Sequence, residues 1–182
     1  MFTFEELDDK TREYMLREFR AEQSSTNPFP PADLTREGIA VFIEIMERAL
    51  LQGNEQTLAM ELAHPAYWNT VTMQVRRGKS VRVEQKVDVL ARRLAETEFN
   101  TWYVRGYSKR LMDEGVGECE VYRAAPAKQQ RSECCTLEGS TVSVLQVYEG
   151  HRARYHPVKN PTAFSIPVGP NCHHSIRRLA GP

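Results

Sequence analysis

The chain has 182 residues, 24 Lys and Arg against 24 Asp and Glu, 41% hydrophobic residues and a mean hydropathy of −0.53. A chain of this length and apolar content buries about two thirds of its unfolded surface, so it needs no staples and is not expected to be disordered. No apolar run approaches the roughly 20 residues of a membrane span, and the start Met1-Phe2-Thr3-Phe4-Glu5-Glu6 does not read as a signal peptide. Four cysteines at 119, 134, 135 and 172 are too few and too irregular for a secreted disulfide scaffold, which places the chain in a reducing cytoplasm at synthesis.

The zero net charge is segregated. Residues 1–61 carry 13 acids and 6 bases, a net of −7, whereas residues 150–182 carry 5 bases and no acid. Such a gradient has two physical outcomes. The two ends face different partners, or they pair with each other in the fold.

Phe4, Leu7, Thr11, Met15 and Phe19 recur at helical spacing and predict an amphipathic helix over 4–22, with acids toward its start. Its apolar stripe must pack on this chain or dock on a partner subunit. Residues 23–34, with three prolines and a polar cluster, predict a break and the best domain boundary. The expected organisation is therefore an N-terminal helix and Pro-rich linker over 1–34 and an α+β domain over 35–182, its core at about 84–182.

Thr35 is the expected N-cap of a second helix with Ile39, Phe42, Ile43, Met46 and Leu50 inward and Gly53 closing it. A short helix follows over 55–63, ended by His64-Pro65. Residues 70–75 and 81–85 alternate around Arg76-Arg77-Gly78-Lys79-Ser80, a hairpin with a basic tip. The longest helical pattern runs from about Glu84 to Glu114, with Gly106 a weak point or a close-packing point. Strands are expected at 118–123, 141–148 and 163–168. The fold class is α+β: a helical N-terminal half, then a long helix with a small antiparallel sheet and long loops. Leu94, Trp102, Tyr103, Leu111, Val121, Val144 and Ile166 are the expected core.

Reactive side chains gather late in the chain. Cys134, Cys172 and His174 form a candidate set of three zinc ligands, with His151 or His156 as a fourth; no Cys-x-x-Cys pair supports it. The alternative is that the cysteines are small buried hydrophobes and the histidines hydrogen-bond in loops. Arg152, Arg154, Arg177 and Arg178 lie in the acid-free segment and are candidate contacts for phosphate or a DNA backbone. No phosphate-binding Gly-rich loop, nucleophile elbow or His-Glu-x-x-His helix is present, so no catalytic residue is nominated.

Three segments resemble the head-morphogenesis domain of tailed phages, the Mu F-like minor head proteins. They are the helix with Thr97-Glu98-Phe99-Asn100 ending in Glu114-Gly115-Val116; the run Val121-Tyr122-Arg123-Ala124-Ala125 leading to Cys134 and Glu138-Gly139; and Ile166-Pro167-Val168-Gly169-Pro170-Asn171-Cys172. The resemblance spans about residues 87–178. Arg131 stands where the family has a first cysteine, Gly169 where it has a histidine, and His173 and His174 where it has Arg and Cys. His174 then replaces a thiolate ligand, or the metal is lost. The resemblance implies a structural head protein of the virion, present in the host cytoplasm during assembly. It implies capsid or portal proteins as partners, with DNA a further partner at the basic end and no membrane. The alternatives are a zinc-stapled DNA-binding or HNH-like nuclease module, an ADP-ribosyl transfer fold using Arg123 with Ser140-Thr141, and a host-takeover binding protein.

Overall fold

A computed structural model describes residues 1–76, 78–126 and 136–180. The α+β class is shown. Helices α1 (Asp9–Gln23), α2 (Arg36–Gln52) and α3 (Glu55–Leu62) precede a 3-10 turn at Pro65–Tyr67 and the hairpin β1 (Val71–Arg76) and β2 (Lys79–Glu84). Then come the long helix α4 (Val87–Asp113), strands β3 (Glu118–Arg123) and β4 (Thr141–Ser143), helix α5 (Val144–Glu149) and strand β5 (His174–Arg178). Among the described residues no helix is long and apolar enough to cross a membrane.

Local chemistry sets most helix starts. Asp8, Thr35 and Asn54 each accept backbone N–H bonds at the head of α1, α2 and α3, and Asn54 with Thr57 closes a reciprocal capping box. Helix α1 thus begins at Asp9, not at residue 4, and Phe4 and Leu7 pack on the core from a lead-in that turns at residues 5–6. Thr3 N–H donates to the Ala124 carbonyl at 2.7 Å, which ties that lead-in to the end of β3.

One continuous apolar core joins α1, α2, α3, α4, β3 and β5. Trp102, Tyr103, Leu111, Val121, Val144 and Ile166 are buried as expected, while Leu94 is only partly buried at its edge. On α2, Phe42, Met46 and Leu50 face inward, but Ile39 and Ile43 are each 40% exposed. The buried face is rotated onto Ile45 and Ala49 instead, because α2 is packed by α1 and α3 from that side. Gly106 sits where α1 crosses α4: a Cβ there would lie 2.5 Å from the Met15 backbone nitrogen.

Two strand expectations are corrected. Only Thr141–Ser143 is strand; Ser143 then caps α5, whose Val144 and Val147 point inward one turn apart, a spacing a strand cannot use. Residues 163–168 are irregular, and the third strand is β5, paired antiparallel with β3 in the order β4-β3-β5. The predicted hairpin is present, its strands paired from Val71↔Glu84 to Arg76↔Lys79 and Gly78 in the left-handed region near its tip.

The segment read as a Pro-rich linker is held against the C-terminal loops. Phe29 lies edge-on to His156 and Tyr155, and its ring carries the Arg152 guanidinium at 4.0 Å. The His156 Nε2 lies 3.1 Å from the Asn27 carbonyl.

Candidate functional site

The charge gradient closes within the chain. Arg177 binds Glu5 at 2.9 Å and Glu120 at 2.7 Å, and Arg178 binds Glu114 at 2.5 Å with Glu6 at 3.7 Å. Arg105 meets Glu18, Arg110 meets Asp8, and Lys10 meets Glu114, so the acidic N-terminal third is joined to α4 and β5. Of the two outcomes open to the gradient, internal pairing accounts for these charges.

Arg152 is the extreme case and a correction. It is 2% exposed and grips Glu98 of α4 through both terminal nitrogens, at 3.0 and 2.6 Å, with Glu22 of α1 at 3.4 Å. Burial alone would lower its pKa, but the Glu98 charge holds it above the ordinary guanidinium value. A side chain so enclosed has no face for a DNA backbone. Arg154 donates to the Pro161 carbonyl, and Arg177 and Arg178 are ion-paired as above. The candidate phosphate contacts are therefore engaged within the fold.

Beside Arg152, His151 Nε2 lies 3.1 Å from a Glu22 carboxylate oxygen. Burial drives the His151 pKa down to about 3, so near neutral pH the ring is uncharged and donates its Nε2 proton to Glu22. Burial opposes ionisation of Glu22, but the His151 hydrogen bond and the Arg152 charge outweigh it and bring its pKa to about 2. The folded His151 thus refuses a proton that the unfolded chain accepts below about pH 6.5. Its contribution is complete above pH 6.5 and is lost as pH falls toward 3, at about 1.4 kcal/mol per pH unit. Glu22 adds a second loss between about pH 4.5 and 2. We expect the wild type to lose about 2 kcal/mol between pH 6.5 and 4.5 from this group. Urea titrations across that range should show a much shallower slope for His151→Gln. Parallel curves for the two proteins would refute the assignment.

The second cluster lies at the sheet. Cys172 Sγ is 3.8 Å from His174 Nδ1, and His174 Nε2 is 3.5 Å from a Glu138 carboxylate oxygen that also accepts from Arg123. Burial holds the His174 pKa below the usual imidazole value. Two features fit a metal. Two tetrahedral zinc ligands with S and N donors stand about 3.5 Å apart, and a ligating histidine usually gives its other nitrogen to a carboxylate. Cys134, the third expected ligand, lies outside the described residues, as does Cys135. Among the described residues no three His, Cys, Asp or Glu side chains converge as a metal site. His151 and His156 sit with the N-terminal segment instead, at Glu22 and Asn27. Cys119 is buried in the core, where desolvation pushes its thiol up to about 12 and leaves it inert at neutral pH.

Beside this cluster an open cleft of about 650 Å³ is lined by Glu5, Glu120, Tyr122, Arg123, Glu138 and Arg177. Its acids and arginines are bonded to one another.

No family model, curated protein or solved structure matches this chain.

Sequence reasoning named Glu98 only within a resembling segment and missed its role as a buried acid, 1% exposed. It had a signal. Thr97-Glu98-Phe99-Asn100 lies mid-helix in a chain stretch with aromatic residues one turn on, where an acid becomes buried and needs a cation.

Proposed function

We propose that this protein is a structural assembly component of a tailed-phage head, a minor capsid or portal-associated protein whose partners are other head proteins. The observation that supports the reading is the meeting of the three resembling segments at one place. Asn100 of α4 donates to the His174 carbonyl at 2.8 Å. Ala124, after β3, donates to His173 at 2.8 Å, just past Pro170-Asn171-Cys172. Gly139 donates to the Val121 carbonyl at 2.8 Å, and Glu138 binds Arg123. Segments about 75 residues apart along the chain are hydrogen-bonded to one another there. The internal pairing of Arg152, Arg177 and Arg178 favours protein partners over DNA. The reading places the chain in virions and in the host cytoplasm during assembly. Mass spectrometry of purified procapsids and virions tests it: the protein should appear at low copy beside the portal, and its absence from both particles would refute the role.

A second reading, a zinc-stapled module, has the Cys172–His174–Glu138 geometry behind it. Cys172 and His174 would hold the ion with Cys134, and Glu138 would orient the imidazole through Nε2. Bound, zinc would cross-link two loops. Metal analysis should then find about one zinc per chain, lost in His174→Ala, with a chelator lowering the melting temperature. Zinc-free protein with chelator-insensitive stability would leave the cluster as buried packing.

A further inference from the structure

Neither the assembly role nor the zinc centre uses the β1–β2 hairpin. Its two strands pair with each other and with no third described strand, and none of its described residues belongs to the apolar core. Strand β2 is exposed at every position except Val83, which is half-buried.

This element carries the positive charge that the fold leaves unmatched. Residues 76–93 hold seven bases and two acids, a net of +5. In the C-terminal segment Arg152, Arg177 and Arg178 each meet a carboxylate of the same chain. Here Lys79, Arg82 and Lys86 are exposed and form no ion pair among the described residues. Arg93, on α4 behind them, is paired with Asp33 and marks the inner limit of the patch. Of the two acids, Glu84 sits at the base of the hairpin opposite Val71, and Asp88 in the first turn of α4. Exposed cations gathered on a protruding element and left without acids are the electrostatic footprint of a polyanion, whose condensed counterions are released on binding.

The shape selects among polyanions. The major groove of B-form DNA, about 12 Å wide, admits a two-stranded ribbon and has phosphates along both walls. Cross-strand partners share a face, so Arg82 lies on one face with Met73 and Val75, and Lys79 lies on the other. The ribbon thus offers cations to both walls. Met73 and Val75, 64% and 78% exposed, suit the thymine methyl groups of the groove floor. The major groove of duplex RNA is too deep and narrow for such side chains. An anionic bilayer fits less well, because the tip that would enter it, closed by the Arg76↔Lys79 pair, is the most basic part of the hairpin.

We propose that the β1–β2 hairpin is a DNA-binding arm that lies in the major groove of duplex DNA, with Lys79, Arg82 and Lys86 on the phosphates. Phosphate contacts carry no sequence information, so binding is nearly independent of base sequence. The pairing of the C-terminal arginines removes DNA from that end of the chain and leaves the hairpin open to it. The inference goes beyond the assembly role and does not rest on it, since the hairpin lies outside the resembling segments.

Fluorescence anisotropy of a short labelled DNA duplex, titrated with the full chain, tests it. Three phosphate contacts predict an affinity that falls by at least about 40-fold between 50 and 200 mM salt. Lys79→Gln with Arg82→Gln should weaken binding at the lower salt by at least about tenfold and flatten the logarithmic salt slope by about two. Both positions are exposed, so an unchanged circular-dichroism melt of this variant is expected and excludes unfolding as the cause. Lys159→Gln removes an exposed, unpaired base elsewhere on the chain and should bind as the wild type does. A wild type that leaves the duplex unbound at 50 mM salt overturns the proposal, as does a hairpin variant that binds as tightly as the wild type. An equal loss in Lys159→Gln overturns it in favour of diffuse charge. Tighter binding to an RNA duplex, or to vesicles of phosphatidylserine and phosphatidylcholine, overturns it in favour of that surface. Absence from virions refutes the assembly role alone, so the two readings fail separately.

Discussion

Replacing Arg152 with Ala is expected to destabilise the fold by about 3–5 kcal/mol, the usual cost of stranding one member of a buried ion pair. Glu98, 1% exposed, would lose both of its guanidinium bonds and keep no other described cation within bonding distance. The Phe29 ring would lose the cation at 4.0 Å that holds residues 23–34 against α4, and Trp102 the one at 5.2 Å. For a chain of this size, that corresponds to a fall in melting temperature of roughly 10 °C. Glu98→Gln should cost a similar amount, since it leaves the guanidinium buried. The double variant Glu98→Leu with Arg152→Met removes both charges and should cost less than either single change. Urea midpoints of the four proteins decide this. A loss under about 1 kcal/mol in Arg152→Ala, or a double variant as costly as the sum, would show that the pair does not hold the molecule together.

Gly106→Val should cost about 3 kcal/mol by overpacking. In an exposed helix, replacing glycine with a residue that has a Cβ is favourable or neutral, by up to about 1 kcal/mol for alanine. Here the sign reverses, because a Cβ on Gly106 would meet Met15 backbone atoms at 2.5 and 2.6 Å, and backbone cannot swing aside as a flexible side chain can. Helix α1 would have to lift from α4, straining the Arg105–Glu18 and Arg110–Asp8 pairs that flank the crossing. Gly106→Ala should already destabilise, and valine should do so further. The order Gly, Ala, Val in falling denaturation midpoint is the expected result; a stabilising alanine would mean that α1 does not sit tightly on α4.

Much of the chain's local structure was legible. Thr35 caps α2 as expected, since its short polar side chain competes for backbone N–H groups over three residues, whereas the apolar spacing from Phe4 hid Asp8, which starts α1 at Asp9. The Val71–Glu84 hairpin alternates and turns at Gly78, where a positive φ is needed. The failures were non-local. The run 141–148 has strand-forming residues throughout, yet Ser143 caps a helix and α4 rewards one-turn spacing of Val144 and Val147. The helical face of α2 was assigned from apolarity alone, and Ile39 and Ile43 were as apolar as Ile45, so only the position of α1 and α3 selected among them. Cys172 and His174 do face each other, but which other side chains stand around them depends on loops with no periodicity to read, and among the described residues no metal-binding group of three forms.

The amino-acid sequence by itself determined the α+β class, the Thr35 cap and the segregation of charge, because each rests on composition or on neighbours a few residues apart. Tertiary structure decided what the segregated charge is for. The acids of residues 1–23 and the bases of 150–182 that they meet are more than a hundred residues apart, and coulombic pairing at 3 Å depends on chain geometry that no local pattern encodes. A gradient that reads along the chain as two surfaces with separate partners becomes, once folded, the set of ion pairs that joins the N-terminal lead-in to the last strand and the first helix to Arg152.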